Sequence, residues 1–125
     1  MIYGVGIDAI EVERIRRQLD RSDRFKTRIF TAHEIAYCEG KKNRAQNYAA
    51  RFAAKEAFFK ALGTGWSGGL AFTQVEVVND ARGKPEIRVY GKAKKLIEET
   101  GVIHIRVSLT HLKDIASSIV TLETK

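Results

Sequence analysis

The segment Arg51 to Gly65, Arg-Phe-Ala-Ala-Lys-Glu-Ala-Phe-Phe-Lys-Ala-Leu-Gly-Thr-Gly, constrains the fold more than any other stretch of this chain. From Ala50 onward, apolar residues recur at 53, 54, 57, 58, 61 and 62, which makes one continuous helical face. At about 100° per residue, Phe52 and Phe59 fall roughly opposite that stripe, beside Glu56. The helix is therefore apolar on two sides, and Gly63 closes it. A carboxylate in such a helix is costly unless it is paired or holds a metal. Glu56 is thus either neutralised by Lys60 one turn on or a ligand, and the segment alone favours the salt bridge.

The other end of the chain shifts that balance. Ile2 to Asp8 reads as a short buried strand with two glycines, ending in an acid just before a helix. Asp8 and Glu56 are hard oxygen donors with no His or Cys cluster beside them, a set that suits magnesium, which completes its shell with water and phosphate oxygens. Read locally, Asp8 serves equally well as a cap on the following helix.

With 125 residues, 44% of them apolar, the chain has material for one core, and residues 1–125 are read as one domain. Twenty-two Lys and Arg against 15 Asp and Glu leave a formal charge of +7, which calls for a polyanionic partner: nucleic acid, a phosphorylated cofactor or an acidic protein. The single Cys38 excludes an intramolecular disulfide, and Tyr37 and Glu39 beside it offer no activation. No run approaches the ~18 apolar residues of a membrane span, and no signal-peptide pattern opens the chain, so the expected compartment is the cytoplasm.

Glu11 to about Arg21 reads as an amphipathic helix with Val12, Ile15 and Leu19 inward. Arg14, Arg17, Arg21 and Arg24 recur at steps of three, four and three, a guanidinium stripe that Ser22-Asp23 can interrupt by capping a new helix. Glu11 and Glu13 fall off the stripe, so the charges are segregated, as an acidic partner would require. Thr31 and Glu34 have capping-box spacing for a short helix that ends near Gly40 and carries His33 on its surface. Lys41 to Arg44 leads into the long helix, and Gly63 to Gly69 is a glycine-rich loop whose N–H groups can approach phosphate. Phe72 to Val78 and Ile87 to Tyr90 read as strands joined by a turn with Gly83-Lys84-Pro85, followed by a basic helix over Gly91 to Thr100. Alternation of Ile103, Ile105, Val107 and Leu109 with polar residues marks a half-buried strand, and a turn at His111 to Asp114 returns the chain through Ile115 to Leu122 as a hairpin.

Taken in order, Gly6-Ile7-Asp8 with Arg14, Phe30-Thr31 with Glu34, the run from Arg51 to Gly65, Gly83-Lys84-Pro85 and Ser108 to His111 resemble one family across the whole chain: the holo-acyl-carrier-protein synthases, small phosphopantetheinyl transferases. The resemblance implies an α+β fold, with an N-terminal strand and helices followed by antiparallel strands and one further helix. It implies transfer of phosphopantetheine from coenzyme A to a serine of an acidic apo acyl carrier protein, with release of adenosine bisphosphate, in support of fatty acid biosynthesis. By resemblance, Asp8 and Glu56 hold magnesium and Lys60 joins them as a catalytic residue aimed at the diphosphate. Arg51, Lys60, Gly63, Gly83, Lys84, Pro85 and His111 look like coenzyme A contacts, although His111 by itself reads as a hairpin-tip residue. Arg14, Arg17, Arg21 and Arg24 would face the carrier protein. The family also forms homotrimers with sites at subunit boundaries. The acceptor of the serine proton is either a metal-held water or a side chain.

Two other classes compete with this reading. A basic nucleic-acid-binding module fits the charge and the strand aromatics Tyr3, Phe72 and Tyr90, but it has no aromatic platform motif and leaves Glu56 unexplained. A purely structural trimeric scaffold explains the sheet but not the two carboxylates.

Overall fold

The computed structural model describes residues 1–65 and 69–125. Its architecture is α+β, with five helices and antiparallel strands, as the sequence leads one to expect. Strand β1 covers Ile2–Glu11, and helices α1 (Val12–Arg21), α2 (Asp23–Ile29), α3 (Ala32–Glu39) and α4 (Arg44–Leu62) follow. A single 3-10 turn, Phe72–Gln74, leads into β2 (Val75–Asn79) and β3 (Pro85–Val89). Helix α5 (Gly91–Thr100) and the long hairpin β4 (Val102–His111) and β5 (Ile115–Thr124) complete the chain. β5 is the centre of a three-stranded antiparallel sheet, order β1-β5-β4, while β2 and β3 pair separately.

Helix α4 is the axis of the molecule. Its alanines at 49, 50, 53, 54, 57 and 61 are all buried, and they let β1 approach very closely. A methyl group on Gly4 would sit 2.0 Å from the Ala61 carbonyl oxygen, and one on Gly6 would sit 1.9 Å from that of Ala57. Only glycine fits there. Around the first half of α4, Val12, Ile15, Leu19, Ile29, Phe30 and Tyr48 form one apolar cluster. Around the second half, Phe58, Phe59, Leu62, Val75, Ile97, Val120 and Leu122 form another. Each large side chain so buried contributes roughly 1.5–3 kcal/mol.

Several expectations need correction. β1 is not a short buried strand ending at Asp8; it runs three residues further, to Glu11, and is buried on one face only. The glycines face α4, so the intervening Val5 and Ile7 point outward and are 52% and 63% exposed. Asp8 lies within the strand opposite Ser118 and caps nothing, since α1 starts at Val12 with Glu11 as its N-cap. Phe72 begins a 3-10 turn, and the strand starts only at Val75. β3 starts at Pro85 and stops at Val89, because Tyr90 is the N-cap of α5.

Other local readings hold. Ser22 separates α1 from α2 and its hydroxyl accepts from Arg24 N at 3.2 Å. The capping box is complete: Thr31 N donates to Glu34 Oε1 at 2.9 Å and Glu34 N to Thr31 Oγ1 at 3.2 Å. Gly63 ends α4 at φ +86°, a left-handed cap that other residues adopt at a cost. Cys38 is buried in α3, where burial pushes its thiol up to about 12, and His33 is exposed. Of the expected glycine-rich loop, Trp66, Ser67 and Gly68 lie outside the described residues.

Candidate active site

The close packing of β1 on α4 places the two carboxylates. Two residues along a strand advance about 6.6 Å and four along a helix about 6.0 Å, so the steps keep register. Gly4 lies over Ala61 and Gly6 over Ala57. Asp8, the next residue on that face, therefore falls beside the turn of α4 that carries Glu56. The two acids are close enough to interact: burial is the main cause that raises the Glu56 carboxyl above its ordinary range, the charge of Asp8 adds to it, and Lys60 opposes both.

Lys60 does not pair with Glu56. Its ammonium donates to Asp8 Oδ1 and to the Ile7 carbonyl, each at 3.0 Å. Glu56 itself is half-buried. The two carboxylates with one ammonium at their rim make a site of net negative charge. Among the described residues, no group of three or more His, Cys, Asp or Glu gathers to form a complete protein cage for a metal. Two hard carboxylates under mutual repulsion fit a magnesium ion that takes its remaining ligands from water and phosphate.

Glu56 opens into a cleft of about 580 Å³. Phe25, Ile29, Phe52, Leu70 and Phe72 form its apolar walls, and Gln18 and Arg28 stand at its polar edge. Phe72 stacks on Phe52 at 5.6 Å between centroids and meets Phe59 edge-on at 5.5 Å. A second groove, of about 220 Å³, shares Gln18, Phe25 and Phe52 with the cleft and is lined by Arg14, Arg17 and Arg21. The arginine stripe thus runs to the mouth of the carboxylate site. Arg24 sits beyond the Ser22 break on α2. Segregation of charge is incomplete, because Glu13 bonds Arg16 and approaches Arg17 at 3.8 Å.

The remaining candidates lie elsewhere in the chain. Arg51 is 2% exposed; its guanidinium donates to Asn79 Oδ1 at 2.6 Å and covers the Tyr37 ring at 4.0 Å. Asn79 in turn donates to the Gly83 carbonyl at 2.9 Å, so Arg51 braces the turn in which Gly83 has φ +86°. Asp80 Oδ1 accepts from Arg82 N and Lys84 N and closes that turn. Lys84 and Pro85 line a separate groove with Ile105 and Arg106, and among the described residues it shares none with the Glu56 cleft. His111 is exposed at the end of β4, opposite Ala116. Asp8 pairs with Ser118 on the other side of β5, so His111 is two strands, about 10 Å, across the sheet from it.

Sequence reasoning missed a buried ion pair. Lys55 and Glu34 are both 0% exposed and 2.7 Å apart. Burial pulls the Lys55 ammonium down and Glu34 opposes that. The available signal was Lys55 itself, a charge that directly follows Ala53 and Ala54 in the apolar helix, one residue before Glu56. Glu76 was missed as well: its carboxylate accepts from Thr31 Oγ1 at 2.6 Å and from the Tyr90 hydroxyl at 2.8 Å.

Comparison with known proteins identifies the family. A family model described as the 4'-phosphopantetheinyl transferase superfamily matches residues 4–120. The holo-[acyl-carrier-protein] synthase of Geobacter metallireducens is 49% identical over 124 residues, 98% of each chain. That of Halothermothrix orenii is 42% identical over 121 residues, 96% of each. Among solved structures, holo-[acyl-carrier-protein] synthase from Neisseria meningitidis superposes with a TM-score of 0.92 at 35% identity, covering 99% of this chain and 100% of that one. The Bacillus anthracis enzyme in complex with CoA (3',5'-ADP) gives 0.84 at 38% identity, covering 100% and 99%. With the family pattern matched from the first strand to the last, and with relatives aligned end to end, the chain belongs to the 4'-phosphopantetheinyl transferase superfamily.

Proposed function

We propose that this chain transfers phosphopantetheine from coenzyme A to a serine hydroxyl of an acidic apo acyl carrier protein, with magnesium held by Asp8 and Glu56. The serine oxygen bonds to the pantetheine-bearing phosphorus, the bridging phosphorus–oxygen bond breaks, and adenosine bisphosphate leaves as the serine proton is released. The observation that carries the reading is the pair of carboxylates at the rim of an apolar cleft, with Lys60 alongside them. Magnesium there supplies electrostatic stabilisation of the charge that develops on the phosphoryl oxygens.

Around that centre, Lys60 is 53% exposed, which leaves its ammonium able to turn from Asp8 to a diphosphate oxygen. Arg14, Arg17 and Arg21, with Arg24 beyond them, steer the acidic carrier to the cleft mouth, chiefly through the on-rate. Gly63, the Gly83-Lys84-Pro85 turn braced by Arg51, and His111 are the proposed coenzyme A contacts. Within one chain, among the described residues, the groove at Lys84 and Pro85 shares no lining residue with the Glu56 cleft, which supports an active form in which two copies share each site. The sheet face opposite α4, bearing Val5, Ile7 and Ile119 at 52%, 63% and 41% exposure, supports a homotrimer built on it. In this reading residues 1–125 are one transferase domain serving fatty acid biosynthesis in the cytoplasm.

The test is incubation with coenzyme A, magnesium and an apo carrier protein, read by intact mass. The carrier should gain one phosphopantetheine, and Glu56→Gln should abolish the gain while the chain stays folded. A wild-type chain that leaves the carrier unmodified, or a fully active Glu56→Gln, would refute the assignment.

A further inference from the structure

The buried Lys55 ammonium has three partners: Glu34 Oε1 at 2.7 Å, the Phe72 carbonyl at 3.0 Å and the Val75 carbonyl. The two carbonyls bracket the 3-10 turn Phe72–Gln74. Phe72, the first residue of that turn, lines the cleft with Leu70 and Ala71 before it, beside Glu56 and stacked on Phe52. Glu34, meanwhile, is held from three sides. Its Oε1 takes the Thr31 N–H, which completes the α3 cap, and its Oε2 takes the Val77 N–H of β2 at 2.8 Å. Lys55 and Glu34 are thus a clamp that joins α3, α4, the turn and β2 at one point.

A purely stabilising role explains this arrangement poorly. Apolar residues of similar volume generally hold a core as well as a buried ion pair does. What apolar residues cannot do is fix two backbone carbonyls at a set distance from a helix. We propose that Lys55 is a positioning residue: by holding the Phe72 and Val75 carbonyls to α4, it sets the placement of the Leu70–Phe72 wall against Glu56 and so determines turnover. The inference rests on the transferase reading. Lys55 touches neither substrate nor metal; it acts through the wall.

The experiment compares Lys55→Met/Glu34→Gln, which removes the buried charges together, with the wild type and with Ile97→Ala. The last substitution empties a buried position on α5 and destabilises without removing a clamp partner or a cleft-lining side chain. Turnover and Michaelis constants are read well below every melting midpoint, with folding checked by circular dichroism. The double variant should lose about ten-fold or more in kcat, the scale on which misplaced groups act, with KM for coenzyme A nearly unchanged. Ile97→Ala, though less stable, should keep its kcat. Unchanged kcat in a folded double variant would overturn the inference. Should that variant not fold, Phe72→Leu, which opens the same wall and leaves the clamp in place, must show the kcat loss, and normal turnover there would overturn it equally. A wild type that modifies no carrier would sink the transferase reading and this inference together, whereas an active wild type with indifferent variants sinks the inference alone.

Discussion

Substitution of Gly6 by alanine tests the link between the packing of β1 and the active site. The added methyl would lie 1.9 Å from the Ala57 carbonyl oxygen, 2.7 Å from Ala61 N and 2.9 Å from Ala57 C, all backbone atoms of a helix that cannot step aside. Ordinary contact begins at 3.4 Å, so the strand must retreat by about 1.5 Å. Overpacking of this kind costs typically 1–3 kcal/mol, and a clash with rigid backbone belongs at the upper end, about 3 kcal/mol. For a domain of this size that lowers the melting midpoint by roughly 10 °C. Asp8 sits two residues on, on the same face, and moves with the strand. A displacement of this size at a reacting centre should reduce kcat by about 100-fold. Gly4→Ala provides the comparison, since its methyl would meet Ala61 O at 2.0 Å, an equal clash twice as far along the strand from Asp8. Melting followed by circular dichroism and turnover measured at low temperature separate the two effects. Equal melting losses with a much larger kcat loss for Gly6→Ala are expected. A Gly6→Ala protein that melts within about 2 °C of wild type, or one that turns over normally, would refute the reasoning.

Three further outcomes are expected. Lys60→Met removes an ion pair that is half exposed and worth about 1 kcal/mol or less, so melting should hardly change, while kcat/KM with coenzyme A falls by the equivalent of roughly 2–4 kcal/mol; large destabilisation with normal kinetics would instead make the Asp8 pair its whole role. Arg14→Glu with Arg21→Glu should weaken carrier binding in calorimetry and leave coenzyme A binding unchanged, each exposed contact being worth about 1 kcal/mol or less; equal losses for both ligands would place the stripe elsewhere. The Tyr48 hydroxyl, with Arg44 and Lys26, holds the Glu39 carboxyl down at about 2 in place of 4.5, so this stabilisation is complete above pH 4.5 and is lost as pH falls through about 2. Screening of a side chain 38% exposed reduces it to about 1 kcal/mol, and Tyr48→Phe should flatten the stability–pH curve between pH 4.5 and 2; an unchanged slope in urea titrations would contradict the assignment.

Local sequence was enough to determine several features that depend on neighbours along the chain. The span and glycine stop of α4, the Thr31–Glu34 capping box, the Ser22 break between α1 and α2, and the β4–β5 hairpin each follow from periodicity, caps and turn residues, whose forces act within a few positions. The pair Asp8 and Glu56 was legible for a related reason, as carboxylates among apolar residues that need a purpose. Partner choice was not legible. Lys60 stands one turn from Glu56 in the sequence, yet it bonds Asp8, because the glycines of β1 bring that strand within reach of the helix. Glu34 looked complete as a capping residue, and only the packing of α3 against α4 delivered Lys55 to its other side. Gly4 and Gly6 read only as two glycines in a strand, and their use became evident only against the carbonyls of Ala61 and Ala57. Which charges meet, and which glycine permits a close approach, depends on surfaces separated by about fifty residues, and these are brought together only when the apolar faces of β1 and α4 are buried against each other.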